Sequence, residues 1–297
     1  MKLTFGALFS VYHKDNPEYL FEALWSILVG QNCALDEIVG VIEGDLPDNL
    51  EKILVHFHQV TWLRIPVNTA KHGFGLPSAL NYGISQMKSD VILKVDTDDL
   101  NDPRRIERTL QAFTKNKDLV LFGGQVQEWD DHFILCIGQR KVPLSKYDIV
   151  KFAAKRNPFN GPTVAFKRQE VLALGGFPDV GANEDYALWA ELIMTQGDCV
   201  NDPEDLVYMR GGKDLVSRRS TRRYRRGEVE ALKAIKASGI WSYRQFLLHY
   251  VMKQCIRRFP LGWNRYIYKK LRQTIHATPP PIYAEAQLAW NEAKLLS

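Results

Sequence analysis

At 297 residues, 45% hydrophobic and 25% charged, the chain is long enough for one large globular domain or a domain with an appendage, and its composition excludes collagen-like and disordered classes. The formal charge of +5 is uneven: ten Lys or Arg and no acid lie between Ala231 and Ala284, and six more Arg fall between Arg218 and Arg226. The four cysteines form no CxxC pair and no apolar run approaches ~18 residues, which argues against a zinc or disulfide framework and against a membrane span.

The stretch "MKLTFGALFSVYHKD" has a short apolar run and no small-x-small cleavage site, so it reads as a first buried strand, not a signal peptide. Asn16 caps a helix with Pro17 at its first position and Leu20, Leu24, Ile27 and Leu28 on one face. "EIVGVIEGD" is a second strand and "VTWLRIPV" a third. "GFGLPSALNYGISQM" leads from a glycine loop into a helix with Leu80, Ile84 and Met87 inward. "DVILKVD" is a fourth strand, followed by Asp102-Pro103 as cap and first turn of a helix burying Ile106, Leu110 and Phe113. This alternation predicts an α/β fold with a mostly parallel sheet and helices on both faces. Beyond Gly123 the pattern is irregular, with strands near Gln125–Trp129 and Thr163–Phe166 and a helix from about Glu184. The chain then turns arginine-rich from about Ser217 and aromatic-basic from Trp241.

In parallel sheets the ligand crevice lies outside the carboxyl ends of the strands. Glu43 and the cluster Asp96, Asp98 and Asp99 in "LKVDTDDLNDP" both sit at such ends. Hard divalent cations take oxygen ligands, few of them carboxylates, with substrate phosphates and water completing the shell. An Asp-x-Asp at a strand end supplies that sparse set, although as a bare pattern it is more often a solvated turn. In "GANEDYALWAEL", Glu184 and Asp185 open an amphipathic helix. Carboxylates there complement the helix dipole, and one facing a cleft is also a suitable general base for a hydroxyl. The glycine loop "NTAKHGFGLPSALN" lacks the spacing of a dinucleotide fingerprint, which disfavours a nicotinamide enzyme but leaves Lys71 and His72 able to approach a diphosphate. His56 and His58 alternate with apolar residues and fit a half-exposed face better than a metal site. The run "RRSTRRYRR" fits nucleic acid, anionic lipid or a pyrophosphate-bearing substrate.

Together, "FSVYHKDNPEYLFEALWSIL", "IVGVIEGD", "GLPSALNYGI", "ILKVDTDDLNDPRRIE", "NPFNGPTVAFKRQEVLALGGF", "EDYALWAEL" and "LVYMRGGKDLVSRR" resemble, in order, the family 2 inverting glycosyltransferases of GT-A fold, particularly those of bacterial surface-polysaccharide assembly. The resemblance implies a Rossmann-like nucleotide-binding domain over residues 1–217, and composition makes residues 218–297 a basic helical extension. It implies Mn²⁺ or Mg²⁺ held against a nucleotide-sugar diphosphate, with Asp98 as main ligand, Asp96 near ribose and metal, and Asp185 as base. Glu184, Arg210 and Arg218 belong to the regions implied to hold the nucleotide-sugar, and Lys71 of the glycine loop joins them as an expected diphosphate contact. Glu43 falls where the family usually has an Asp that hydrogen-bonds uracil, and so keeps the carboxylate with one more methylene. The expected donor is UDP-linked and the acceptor a saccharide or lipid-linked saccharide. The expected location is cytoplasmic, at an anionic membrane surface approached by the basic, aromatic tail, with no nucleic acid partner. A metal-dependent nucleotidyltransferase and a non-catalytic membrane or nucleic-acid binding protein are the competing readings.

Overall fold

The computed structural model describes residues 2–66, 75–211, 222–256 and 277–296. Lys71, His72, Arg218, the first four residues of the "RRSTRRYRR" run and the stretch 257–276 lie outside the described residues.

Strand β1 (Phe5–Tyr12) is flanked in parallel by β2 (Glu37–Glu43) and β4 (Val91–Lys94), and β2 in turn by β3 (Thr61–Ile65). This parallel half is what the β-α alternation predicts. Helix α1 (Pro17–Leu28) starts as read: the Asn16 side chain accepts from the backbone N–H of Glu18 and Tyr19, with Pro17 at the first position. Helices α2 (Asp48–His56) and α3 (Gly75–Gln86) complete the crossovers.

The other half of the sheet departs from the expectation of mostly parallel pairing. Strand β8 (Ala165–Lys167) pairs antiparallel with both β4 and β6 (Leu119–Trp129), while β9 (Asp198–Arg210) runs parallel to β6. Strands β5 (Leu100–Asn101) and β7 (Cys136–Arg140) add antiparallel edges, giving the order β3-β2-β1-β4-β8-β6-β9-β5 with β7 on β6. Pairing β5 to β9 delays the next helix. It is α4 (Arg105–Lys115), with the Asp102 carboxylate accepting from the Arg104 N–H at 3.0 Å before it begins.

Two apolar layers clothe the sheet. One packs Phe9, Leu20, Leu24, Ile53 and Phe113 under α1, α2 and α4. The other packs Leu80, Ile84, Phe166, Trp189 and Leu192 under α3, α6 (Arg168–Ala173) and α7 (Glu184–Ile193), with Ile149 of α5 (Lys146–Ala153). The C-terminal region adds helices to both sides. Helix α8 (Arg222–Ala237) sets Leu232 and Ile235 against Tyr186 and Ala190 of α7, together with Trp241. Its Gly227 lies so close to the Val180–Gly181 backbone that a Cβ would fall 2.5 Å from the Val180 carbonyl oxygen. Helix α9 (Tyr243–Ile256) follows, and α10 (Pro281–Leu296) packs on α1, with Trp290 5.2 Å from Phe21 and Tyr283 4.9 Å from Phe133 between ring centroids. No helix among the described residues is long and apolar enough to cross a membrane.

Candidate active site

Because β1, β2 and β4 are parallel, their carboxyl ends open at one edge, and each delivers acid there: Asp15 after β1, Glu43 at the end of β2, and Asp96, Asp98 and Asp99 after β4. The acidic turn divides its own residues. Asp98 is exposed and Asp96 partly so, whereas Asp99 is buried, with its Oδ1 accepting from the Arg210 N–H at 2.9 Å. Burial and the charges of Asp98 and Asp96 hold the Asp99 carboxyl well above the usual carboxylate range. Asp99 therefore anchors the turn from within, and Asp98 is its outward carboxylate.

Asp185 reaches the same place from 89 residues further on. Between the two acidic motifs lies Lys94, a cation in an otherwise apolar strand and only 6% exposed. Lys94 Nζ pairs with Asp96 Oδ1. Burial opposes its charge, but Asp96, Asp185 and Glu184 outweigh burial and hold the ammonium above its ordinary range. One buried lysine thus ties the Asp-x-Asp to the acidic pair. Asp185 Oδ2 accepts from Asn157 Nδ2 at 3.0 Å, and Oδ1 from the Tyr186 N–H at 2.6 Å. The helix N-terminus alone would favour the ionised, weakly basic carboxylate. Here burial prevails over the Tyr186 hydrogen bond and Lys94, and Asp185 is raised. Burial and the charge of Asp185 push Glu184 up to about 7. A general base works best with a pKa close to the working pH, so the raised carboxyl suits Asp185 to that role.

Arg210 sits differently from the sequence expectation of a diphosphate ligand. It is 7% exposed, and each guanidinium nitrogen already donates: Nη2 to Glu22, Nη1 to the Asp98 carbonyl at 2.5 Å, and Nε to the Asp131 carbonyl at 3.1 Å. The rings of Tyr19 and Phe133 lie 4.1 and 4.6 Å from its centre. Held in this cage, the guanidinium braces the Asp98–Asp99 turn from behind. Behind β4, Arg105 donates to the Lys94 carbonyl at 2.6 Å and to Asn101. Glu43 lies against the start of α3, where a Cβ on Gly75 would come within 1.9 Å of both its carboxylate oxygens. A side chain at that position would displace the Glu43 carboxylate.

Four contributors escaped the sequence reading: Lys94, Asp15, Asn157 and Glu22. A lone lysine in "VILKVD" and an acid just past β1 were visible signals, whereas Asn157 and Glu22 gain meaning only from their partners. Burial, opposed by the Tyr12 N–H and reinforced by the charge of Asp98, pushes Asp15 up to about 7. Such a folded carboxyl keeps its proton where the unfolded chain, at 3.8, has lost it, so its contribution to stability falls as pH rises from about 4 to about 7. Asp15→Asn should therefore match wild type near pH 4 and gain thermal stability relative to it as pH rises to 7.5, in metal-free buffer. Melting curves across that range check the sign.

Among the described residues, no three His, Cys, Asp or Glu side chains converge into a complete metal-binding cluster. A sparse set, outward Asp98 beside Asp96, with neighbouring carboxyls pushed up by burial and then by one another's negative charge, is chemistry that suits a hard divalent cation sharing its shell with phosphate and water.

The sequence profile of Glycosyl transferase family 2 matches residues 9–172, from β1 through the Asp-x-Asp turn to α6. The chain belongs to this family. The glycosyltransferase is 32% identical over 271 residues to the Escherichia coli UDP-Gal:alpha-D-GlcNAc-diphosphoundecaprenol beta-1,3-galactosyltransferase, covering 90% of this chain and 96% of that protein. It is 30% identical to the amylovoran biosynthesis glycosyltransferase AmsE of Erwinia amylovora, covering 91% and 99%. Among solved structures it superposes on mannosyltransferase PcManGT from Pyrobaculum calidifontis in complex with GDP-Man and Mn²⁺, with TM-score 0.56, 17% identity and coverage of 100% of this chain and 79% of that one. Staphylococcus aureus TarS 1-349 in complex with UDP gives TM-score 0.53 at 14% identity, covering 80% of this glycosyltransferase and 65% of the TarS chain. At these identities the likeness is one of fold, and the fold is GT-A. The family match ends before Glu184 and Asp185, so the acidic pair takes its place in the site from geometry.

Proposed function

We propose that this glycosyltransferase moves a sugar from a UDP-linked donor to a hydroxyl of a lipid-linked saccharide, with inversion, in bacterial surface-polysaccharide synthesis. The observation that carries the reading is the meeting of the Asp-x-Asp turn and Asp185 around Lys94, which puts donor-binding and base chemistry in one cleft. The relatives supply the substrate class: the E. coli enzyme is named for UDP-Gal and a diphosphoundecaprenol-linked GlcNAc, and for a β product. Forming a β linkage from an α-linked nucleotide-sugar is an inversion.

Asp98 is the principal residue to hold Mn²⁺ or Mg²⁺, with Asp96 between that position and the ribose. When bound, the cation neutralises charge on the diphosphate and on the nucleoside diphosphate that departs. Glu43, at the far side of the parallel edge, faces the base of the nucleotide, and Glu184 shares the donor side of the cleft. Asp185 takes the proton of the attacking hydroxyl. The new bond joins that oxygen to the anomeric carbon as the bond to the diphosphate oxygen breaks, its electron pair leaving with UDP. Asn157 fixes the orientation of the Asp185 carboxylate, and Lys94 offsets the charge the two motifs share. Lys71 and Arg218 remain assigned to the diphosphate by motif alone. The enzyme works at the cytoplasmic face of the membrane, where its acceptor's lipid resides.

A panel of nucleoside-diphosphate sugars, with Mn²⁺ and a diphosphate-lipid-linked GlcNAc acceptor, tests the reading. A UDP-hexose should give UDP and a β-linked product. Release of pyrophosphate with formation of a nucleotide-sugar would instead identify a nucleotidyltransferase.

A further inference from the structure

Helix α9 turns a set of apolar side chains outward. Two of its polar side chains turn toward the protein: His249 is buried, with Nε2 3.0 Å from the Ala154 carbonyl and its ring stacked on Trp241 at 4.3 Å, and Lys253 pairs with Glu228. Gln245 is spent at the helix start, where it accepts from Ser242 and completes a capping box. Phe246 packs inward beside Leu232 and Trp241, and the other described apolar side chains turn outward. Leu247, Leu248 and Val251 are 47%, 58% and 48% exposed, and Tyr243 and Met252 are exposed beside them. A surface helix ordinarily shows the opposite arrangement, and contiguous exposed apolar residues mark an interaction face.

The charges around this face select its partner. Lys155 and Arg156, both exposed, follow directly on the Ala154 that receives His249. Arg244 lies on α9 itself, and Lys236 sits 5.9 Å from the Tyr243 ring. Nearby acids are taken up: Glu228 by Lys253 and Glu230 by Lys233. No Asp or Glu occurs between Ala231 and Ala284, so the sequence on either side of α9 keeps the same sign. Apolar side chains with an interfacial tyrosine, rimmed by unopposed cations, are the chemistry of a helix lying in the headgroup plane of an anionic bilayer.

We propose that the outward face of α9 docks the enzyme on anionic membrane. The proposal deepens the reading of a lipid-linked acceptor, since docking brings the cleft to a substrate confined to that surface. Each cation near such a surface adds to binding and each inserted side chain adds apolar transfer energy, so removing either set should weaken adsorption separately.

The test uses the full chain in vesicle co-sedimentation, with phosphatidylcholine alone or mixed with phosphatidylglycerol. Wild type should bind the mixed vesicles at low salt and release from them at high salt. Leu247→Gln with Leu248→Gln and Val251→Gln adds no charge and empties no core, and should lower binding by more than about tenfold. Lys155→Gln with Arg156→Gln should weaken binding in mixed vesicles only. Both variants should retain transfer to a soluble short acceptor, so that a failure of docking is distinguishable from a failure of the transferase reading. Absence of wild-type binding, or full binding by the triple variant, overturns the proposal. A wild-type dimer that the triple variant makes monomeric would assign the face to a second copy instead.

Discussion

Asp185→Asn is expected to abolish most transfer while leaving nucleotide binding in place. The substitution preserves shape and leaves Oδ1 able to accept from the Tyr186 N–H, so the start of α7 should persist. It removes the group proposed to receive the acceptor proton, and loss of a general base costs typically about 10²–10⁴-fold in rate. UDP affinity measured by calorimetry should stay within a few-fold of wild type, because the donor side of the cleft is formed by other residues. The effect should appear in kcat, as for an interaction made only in the transition state. Its counterpart is Asn157→Ala, which frees Asp185 Oδ2 from its 3.0 Å partner and should give a smaller loss. Near-normal turnover by Asp185→Asn would reduce the carboxylate to a helix-dipole partner and leave the base unassigned.

The second large effect divides two adjacent aspartates. Asp98 faces outward and Asp99 inward, so identical substitutions should have opposite consequences. Asp98→Asn removes the carboxylate proposed as principal ligand to the cation. UDP binding should lose its dependence on Mn²⁺, and turnover should fall below detection, while the fold is undisturbed because the turn is held by the Asp98 backbone carbonyl and by Asp99. Asp99→Asn keeps an oxygen to accept from the Arg210 N–H and deletes a charge that burial, Asp98 and Asp96 all disfavour. That variant should retain Mn²⁺-dependent UDP binding and most activity, and should melt no lower than wild type at pH 7.5. Calorimetry with UDP, with and without Mn²⁺, reads both. Equal, metal-independent affinity in wild type and Asp98→Asn would sink the metal assignment.

Much of the molecule was legible locally. The Asn16-Pro17 helix start, the inward Leu80, Ile84 and Met87, the buried strand before the Asp-x-Asp and the helix opening at Glu184 all appear as read. Each is set by interactions within about one turn or one pleat, where capping, ring constraint and hydrophobic period act. The four parallel strands also follow, because the crossover helices between them are themselves sequence-local.

Other features were decided only when distant segments met. The antiparallel insertion of β8 between β4 and β6 depends on long-range pairing, which no short window encodes. The partners of Arg210 could not be read from its motif, because Glu22, Tyr19 and Phe133, remote in the chain, enclose its guanidinium. Asp98 and Asp99 are equivalent as letters, and only the neighbouring end of β9 makes one an anchor and leaves the other outward. Asp185 rises toward a useful basicity because tertiary burial outweighs the local helix terminus that would lower it. The aromatic-basic segment could be recognised by composition, but the side each residue of α9 takes was chosen by Ala154, Trp241 and Glu228. The sequence alone determined which chemical groups were present and in what local order. Desolvation and pairing across the fold determined which of them carry charge, which are spent on structure and which face outward.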